Sequence, residues 1–220
     1  MAKEVERYSK ATRYLHWMHA ISFSILLLTG LILFVPALGF LAEDSWTRIL
    51  HRIAAVLFVV APMIYVPLNM KRSGRGILSA FKWGKEDIRW LLAAPRYYFL
   101  CDEEAMPPQG HMNAGQKMWW LIALVFGSLF VVTGGMMWFA KDTASPGLLQ
   151  WAVIIHDVSF IVTMIMFFVH IYMSAVHPLT RPLKGGSWDS MFCNGKMSAD
   201  FAKAHYAKWY EEVSENKDSG

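Results

Sequence analysis

Four stretches of this chain contain no Asp, Glu, Lys or Arg at all: residues 14–42, 53–70, 118–140 and 158–180. About 20 mainly apolar residues are enough for a helix to cross the hydrocarbon core of a bilayer. Lipid offers the backbone no hydrogen-bond partner, so each stretch must satisfy its amides internally, as a helix does. The second stretch reaches span length by extending back to Ile49, and the fourth by starting near Leu149 with Asp157 in its first turns. The expected fold is all-α: an integral membrane bundle of four transmembrane helices at about 14–38, 49–70, 118–140 and 149–176. Residues 1–177 then form the membrane domain with a connection at 71–117, and residues 178–220 a tail.

Composition agrees. Hydrophobic residues make up 55% of the chain and charged residues 17%, against about 25% charged in soluble domains. So few charges cannot cover a water-facing surface. The first apolar stretch is longer than the roughly 7–15 residues of a signal-peptide core and contains His16 and His19, so it reads as a retained span.

The basic residues set the orientation. Eighteen of the 21 Lys and Arg residues lie in three regions, 1–13, 71–117 and the tail beyond His177. Four spans place those regions on one side, and the excess of positive charge marks that side as cytoplasmic. Both termini are expected in the cytoplasm of a bacterial inner membrane, with two short loops outside. The net charge of +4 is modest, and nucleic acid is not an expected partner.

Within the connection, Ile77–Phe81 and Ile88–Leu92 read as short amphipathic pieces broken near Gly84 and Pro95. In the tail, Ser198 is a plausible N-cap for a segment to Val213. Its aromatic residues Phe201, Tyr206, Trp209 and Tyr210 suit a helix lying on the membrane or on a partner.

The two cysteines, Cys101 and Cys193, form no C-x-x-C or C-x-x-C-H motif, which excludes a zinc knuckle, a four-cysteine iron–sulfur site and c-type haem attachment. The histidines carry more. Ionisable side chains inside a bilayer are rare and mark functional positions. His16 and His19 fall at the inner end of the first span, His51 at the outer end of the second, and His156 near the outer end of the fourth. His170 follows His156 by fourteen residues, a rise of about 21 Å and a rotation within about 40° of whole turns. The two therefore share a helix face at different depths. Topology puts His170 level with His16 or His19, and His156 level with His51. Two bis-histidine sites follow, each suited to both axial positions of a haem iron.

Arg13 and Arg48 each precede a histidine by three residues, on the same helix face, where a guanidinium can meet haem propionates. Gly30, Gly127 and Gly134 offer room for a flat macrocycle. His19 reads as polar packing beside His16, although it is also a possible ligand in place of His16. His177 reads as an interfacial polar residue or a proton-path member, and His111 and His205 as solvated. The competing reading of all these histidines is interhelical hydrogen bonding, in a four-span transporter or plain anchor without haem. An absorption spectrum separates the two.

With these residues placed, the chain resembles the cytochrome b (gamma) subunit of respiratory membrane-bound formate dehydrogenases. The resemblance is carried by R-Y-L-H-W at 13–17, R-I-L-H at 48–51, N-A-G-Q-K-M at 113–118, I-H at 155–156, F-V-H-I-Y-M at 168–173 and H-Y-A-K-W-Y at 205–210. The H-W and R-x-L-H pieces are shared with diheme cytochromes of nickel–iron hydrogenases; the alternative assignment is the diheme cytochrome b of such a hydrogenase or of another quinone-linked oxidoreductase. N-A-G-Q-K is the most discriminating. The resemblance implies two haem b groups, held by His16 with His170 and by His51 with His156. It also implies a menaquinone site built from Asn113, Gly115, Gln116 and His170. Asn113 equally suits a helix N-cap. The implied partners are an iron–sulfur beta subunit and a molybdopterin alpha subunit holding molybdenum or tungsten, in an assembly open to higher oligomers. His19 and the stretch 178–196 depart from the family pattern.

Overall fold

The computed structural model describes residues 3–104 and 106–218. Positions 1, 2, 105, 219 and 220, which the sequence-based ranges include, lie outside the described residues, as do the side chains of Arg72, Asn216, Lys217 and Asp218. The long helices are α1 (Lys10–Phe34), α2 (Trp46–Leu68), α5 (Ala114–Phe139) and α6 (Pro146–Ile171). Between α2 and α5 come α3 (Met70–Phe81) and α4 (Lys85–Leu100). After α6 follow a π-helical turn (Tyr172–Val176), α7 (Ser187–Asp189), α8 (Ala199–His205) and α9 (Ala207–Asp218). Two strands, β1 (Glu4–Glu6) and β2 (Lys196–Ser198), pair antiparallel with Val5 opposite Met197. That ribbon is the one departure, among the described residues, from the all-helical expectation.

The four expected spans are present. Lys10–Phe34, Trp46–Leu68, Ala114–Phe139 and Pro146–Val176 have mean hydropathies of 1.9, 2.1, 2.0 and 2.3 and are long enough to cross a membrane. Their ends differ from the charge-free stretches because caps and prolines, not charge, terminate a helix. Pro36 holds Val35 extended and stops α1 at Phe34; residues 36–42 continue as a 3₁₀ helix. Pro146 opens α6, where its missing N–H is harmless, and Ser145 Oγ accepts from Leu148 N at 3.4 Å.

The chain divides into two compact units. The second comprises Tyr14–Ser73 and Ile122–Phe167, which hold most of the four long helices. Apart from Phe160, its buried positions are small or hydroxyl-bearing: Ser22, Thr29, Ala42, Ala54, Ala61, Thr133, Ala152, Ser159 and Thr163. Ile53, Val56, Ile64 and Ile165 are exposed. This inverts a water-soluble bundle and is the pattern of helices that pack closely within lipid. The buried hydroxyls donate to carbonyls of their own helix, as from Ser22 to Met18 O at 2.8 Å and Ser159 to Ile155 O at 2.6 Å.

The first unit comprises Met1–Arg13, Gly74–Leu121 and Phe168–Gly220. These are nearly the three basic regions that the charge pattern places on one side. Its core is Val5, Met197, Phe201, Ala202, Tyr206 and Trp209, with Tyr210 and Val213 packed against it. The ribbon depends on Gly195. Its carbonyl accepts from Arg7 N and Tyr8 N at 2.8 and 2.9 Å. Its φ of +86° and the Tyr8 carbonyl against its Cα both favour glycine.

Three sequence expectations are corrected in this unit. The aromatic residues of 198–213 are not a membrane-facing stripe, because Phe201, Tyr206 and Trp209 are buried. That segment is two helices that meet at Tyr206, although Ser198 caps the first as expected, accepting from Phe201 N at 3.2 Å. Pro95 does not break α4, which runs through it to Leu100. His205 is not solvated: it stacks on Phe201 at 3.9 Å between ring centres and bonds the Tyr97 hydroxyl through Nε2 at 2.6 Å. Burial lowers its pKa, against the raising effect of its bond to the Phe201 carbonyl.

Candidate functional site

In the second unit, His51 on α2 and His156 on α6 come together. Their ring centres are 6.4 Å apart with the planes inclined at 55°. Two imidazoles bound through nitrogen to opposite sides of one metal, at about 2.0–2.1 Å each, have ring centres about 6.3 Å apart. Among the described residues no cluster of three or more His, Cys, Asp or Glu could hold a bare metal ion. A two-imidazole site of this spacing could hold a haem, whose macrocycle supplies the other ligands to the iron.

The surroundings of both rings match. His51 Nδ1 lies 2.8 Å from Thr29 Oγ1, and His156 Nδ1 lies 2.8 Å from Thr133 Oγ1. Each threonine has one hydroxyl proton. Thr29 gives it to Ile25 O at 2.7 Å and Thr133 gives it to Leu129 O at 2.6 Å. Towards the histidine each oxygen can then only accept, so Nδ1 carries the proton and Nε2 keeps its lone pair for a metal. Partners of this kind set the tautomer and orientation of a ligating imidazole. Both threonines are buried, so water does not substitute for them. Thr133→Val, which keeps the shape and removes the acceptor, is expected to weaken haem retention about 10–100-fold. Haem content after detergent dilution, read against wild type, checks this.

Each threonine is followed by a glycine at the same ring. A Cβ on Gly134 would lie 3.5 Å from His156 Cε1; one on Gly30 would lie 3.3 Å from Phe160 and 3.7 Å from His51 Cε1. Gly127 faces open space. Thr29-Gly30 and Thr133-Gly134 thus repeat one device. Sequence reasoning singles out the glycines and misses the dipeptide.

His16, on the part of α1 in the second unit, meets Trp17 edge-on at 5.2 Å. His19 bonds Leu15 O through Nδ1 at 3.1 Å and sits edge-on to Phe58 at 4.8 Å, as a packing residue would. His170, in the first unit, stacks on Trp119 at 4.8 Å with an interplanar angle of 13°. Arg48 donates through Nη1 to Ala42 O at 2.6 Å. Arg13 donates through Nε to Met191 O at 3.1 Å and through Nη2 to the carbonyls of Phe192 and Cys193.

Asn113 and Gln116 lie at the start of α5 and form a capping box. Asn113 Oδ1 accepts from Gln116 N at 2.8 Å, and Gln116 Oε1 accepts from Asn113 N at 3.1 Å. Both amide oxygens are thereby engaged with the backbone, and both NH₂ groups point the other way. They reach the hydroxyl of Tyr206, at 3.1 Å from Gln116 Nε2 and 3.5 Å from Asn113 Nδ2. Gly115 admits Trp90: a Cβ there would lie 2.8 Å from the indole. Next in the motif, Lys117 Nζ bonds Asp87 at 2.8 and 2.9 Å and Lys82 O at 2.8 Å. Trp90, Asp87 and Tyr206 carry no sequence signal for this site, because each meets the motif only through the fold.

The prokaryotic cytochrome b561 family matches residues 7–192. Similar full-length proteins include the cytochrome b556(Fdn) subunit of the nitrate-inducible formate dehydrogenase of Escherichia coli K12. It is 26% identical over 216 residues, covering 96% of this chain and 93% of the relative. The formate dehydrogenase cytochrome b556 subunit of Haemophilus influenzae Rd is 27% identical, covering 94% of this chain and 82% of the relative. The cytochrome b556(fdo) subunit of E. coli K12 formate dehydrogenase is 24% identical, covering 95% and 93%. With four helices able to span a membrane and an imidazole pair spaced for a haem iron, the chain belongs to the prokaryotic cytochrome b561 family of haem b membrane proteins.

Proposed function

We propose that this chain is the cytochrome b subunit of a membrane-bound formate dehydrogenase. In this reading it carries electrons from a periplasmic iron–sulfur subunit across the bacterial inner membrane to menaquinone, with both termini in the cytoplasm. The observation that carries it is the His51–His156 pair at 6.4 Å, in a chain similar over its length to subunits so named. His16 and His170 would hold the other haem. Haem b bound at such sites supplies one-electron redox chemistry.

The chain's own residues do the rest. Thr29 and Thr133 hold the outer imidazoles in the ligating tautomer. Arg48 and Arg13 pair with propionates. A guanidinium has five N–H donors, and the bonds described above leave Arg13 the two on Nη1. Asn113 and Gln116, with their oxygens engaged, present N–H donors to a quinone oxygen, and Gly115 between them lets Trp90 pack against the motif. Reduction of a quinone takes two electrons and two protons. A site in the unit that gathers the basic regions draws those protons from the cytoplasm, so the transfer separates charge across the membrane.

The partners are an iron–sulfur beta subunit and a molybdopterin alpha subunit with molybdenum or tungsten, in a heterotrimer that can assemble further. The test is to purify the chain gently from its native membrane. Two b haems per chain, an iron–sulfur subunit, a molybdopterin subunit and formate–quinone activity are expected together. A co-purifying nickel–iron subunit would transfer the cytochrome to hydrogen oxidation, and a colourless chain would end the haem reading.

A further inference from the structure

The bonds of Asn113 and Gln116 reach beyond their own helix, to a tyrosine 93 and 90 residues further along. We propose that Tyr206 is the positioning residue of the quinone site, holding both carboxamides in one orientation and making the C-terminal tail part of that site. This rests on the quinone-binding role given above to Asn113 and Gln116.

The capping box fixes which end of each amide faces out. One outward N–H from each side chain is accepted by the Tyr206 oxygen, leaving the second N–H of each for a quinone carbonyl. Tyr206 is 3% exposed, so water does not compete for these bonds. Burial pushes its phenol above the ordinary value, against the lowering effect of Arg7, and it stays a neutral hydroxyl. With amide donors on its oxygen, its own proton is directed to Ser187 Oγ at 3.3 Å.

The ring is held as firmly as the hydroxyl. The Arg7 guanidinium lies 4.3 Å from the Tyr206 ring centre and 4.3 Å from that of Trp209. Arg7 is 2% exposed and donates to the His111 carbonyl. Its position follows from the ribbon, since the Arg7 backbone N–H bonds the Gly195 carbonyl at 2.8 Å. Arg7 at the end of the N-terminal strand, the 187 turn and the tail therefore converge on one tyrosine, and its hydroxyl on the two amides. An ordinary tail helix has no need of such convergence.

The experiment uses the whole complex in detergent. Binding of menadione, a soluble naphthoquinone, is followed by tryptophan fluorescence on the oxidised protein, and its reduction by steady-state kinetics. Tyr206→Phe keeps the ring over Arg7 and removes only the hydroxyl, which is the acceptor for both amides and the donor to Ser187. It is expected to raise both Kd and KM about tenfold, the worth of one to two hydrogen bonds. kcat should stay within about twofold, because the effect is on binding alone. Haem content and the dithionite-reduced spectrum should match wild type. In a Gln116→Ala background Tyr206→Phe should add less than in the wild type, because only Asn113 is then left for it to hold and residues that act through one another are not additive. Ser187→Ala, a milder change, should raise Kd about 2–4-fold. It serves as the deciding variant if Tyr206→Phe fails to assemble. Wild-type Kd in Gln116→Ala removes the quinone site itself. A weakened Gln116→Ala beside a wild-type Tyr206→Phe, or a wild-type Ser187→Ala where the tyrosine variant does not assemble, overturns the role of Tyr206 and leaves the quinone site standing.

Discussion

His156→Ala is expected to leave one b haem per chain in place of the two proposed, and to abolish the proposed formate-driven quinone reduction. The pair of which His156 is half has ring centres 6.4 Å apart, and alanine cannot reach a metal from that backbone. The loss also strands Thr133, whose oxygen accepts from the imidazole. His51→Ala should give the same haem content. The double variant, His51→Ala with His156→Ala, should lose no more than either single one, because both residues serve one site. Haem per chain, measured as the pyridine complex on protein of matched purity, decides this. If the double variant lost both haems while each single lost one, the two histidines would belong to different sites and the pairing would be wrong.

The second large effect is on stability. Asp87→Ala is expected to cost about 3–5 kcal/mol, because it leaves a buried ammonium without its counter-charge. The Lys117 and Asp87 side chains are 13% and 8% exposed, and two of the ammonium's hydrogen bonds go to this one carboxylate. The same carboxylate caps α4, accepting from Gly84 N at 2.8 Å. For a chain of this length the cost corresponds to a fall of about 6–20 °C in Tm. Asp87→Asn keeps the cap and loses the charge, so it should fall between alanine and wild type. Differential scanning of the solubilised protein measures all three. A shift under about 2 °C for Asp87→Ala would show that water reaches the pair and that its burial is not the source of its strength.

The candidate haem site is partly legible in the amino-acid sequence. His51 and His156 each stand out as ionisable residues in an apolar span, and Gly30 and Gly134 as small residues near them in depth. The threonines do not stand out, because a single Thr in a membrane helix ordinarily bonds its own backbone. Thr29 and Thr133 do bond their own backbone, and that bond is what turns their lone pairs towards the histidines. The tail is illegible for a different reason. Phe201, Tyr206 and Trp209 at helical spacing look alike whether they meet lipid or a protein core. A three-residue ribbon between β1 and β2 decides the matter by bringing Val5 and Met197 against them. His205 reads as solvated on the same local grounds, since nothing near it in the chain announces the Tyr97 hydroxyl on its Nε2.

What the sequence determined by itself is the membrane character, the four spans and the gathering of 1–13, the central connection and the tail into one region. These rest on solvation, which acts on each segment separately: an uncharged stretch of about twenty residues has one stable solvent and one way to satisfy its amides there. The proposed orientation rests on loop charges for the same local reason. Only the tertiary structure decided which nitrogen of His51 and His156 meets a threonine, that Gly115 makes room for Trp90, and that Tyr206 bonds Asn113 and Gln116. Those outcomes depend on rotamers and hydrogen bonds between residues far apart in the chain. Periodicity places a residue on a face, but the partner that reaches that face is chosen by packing.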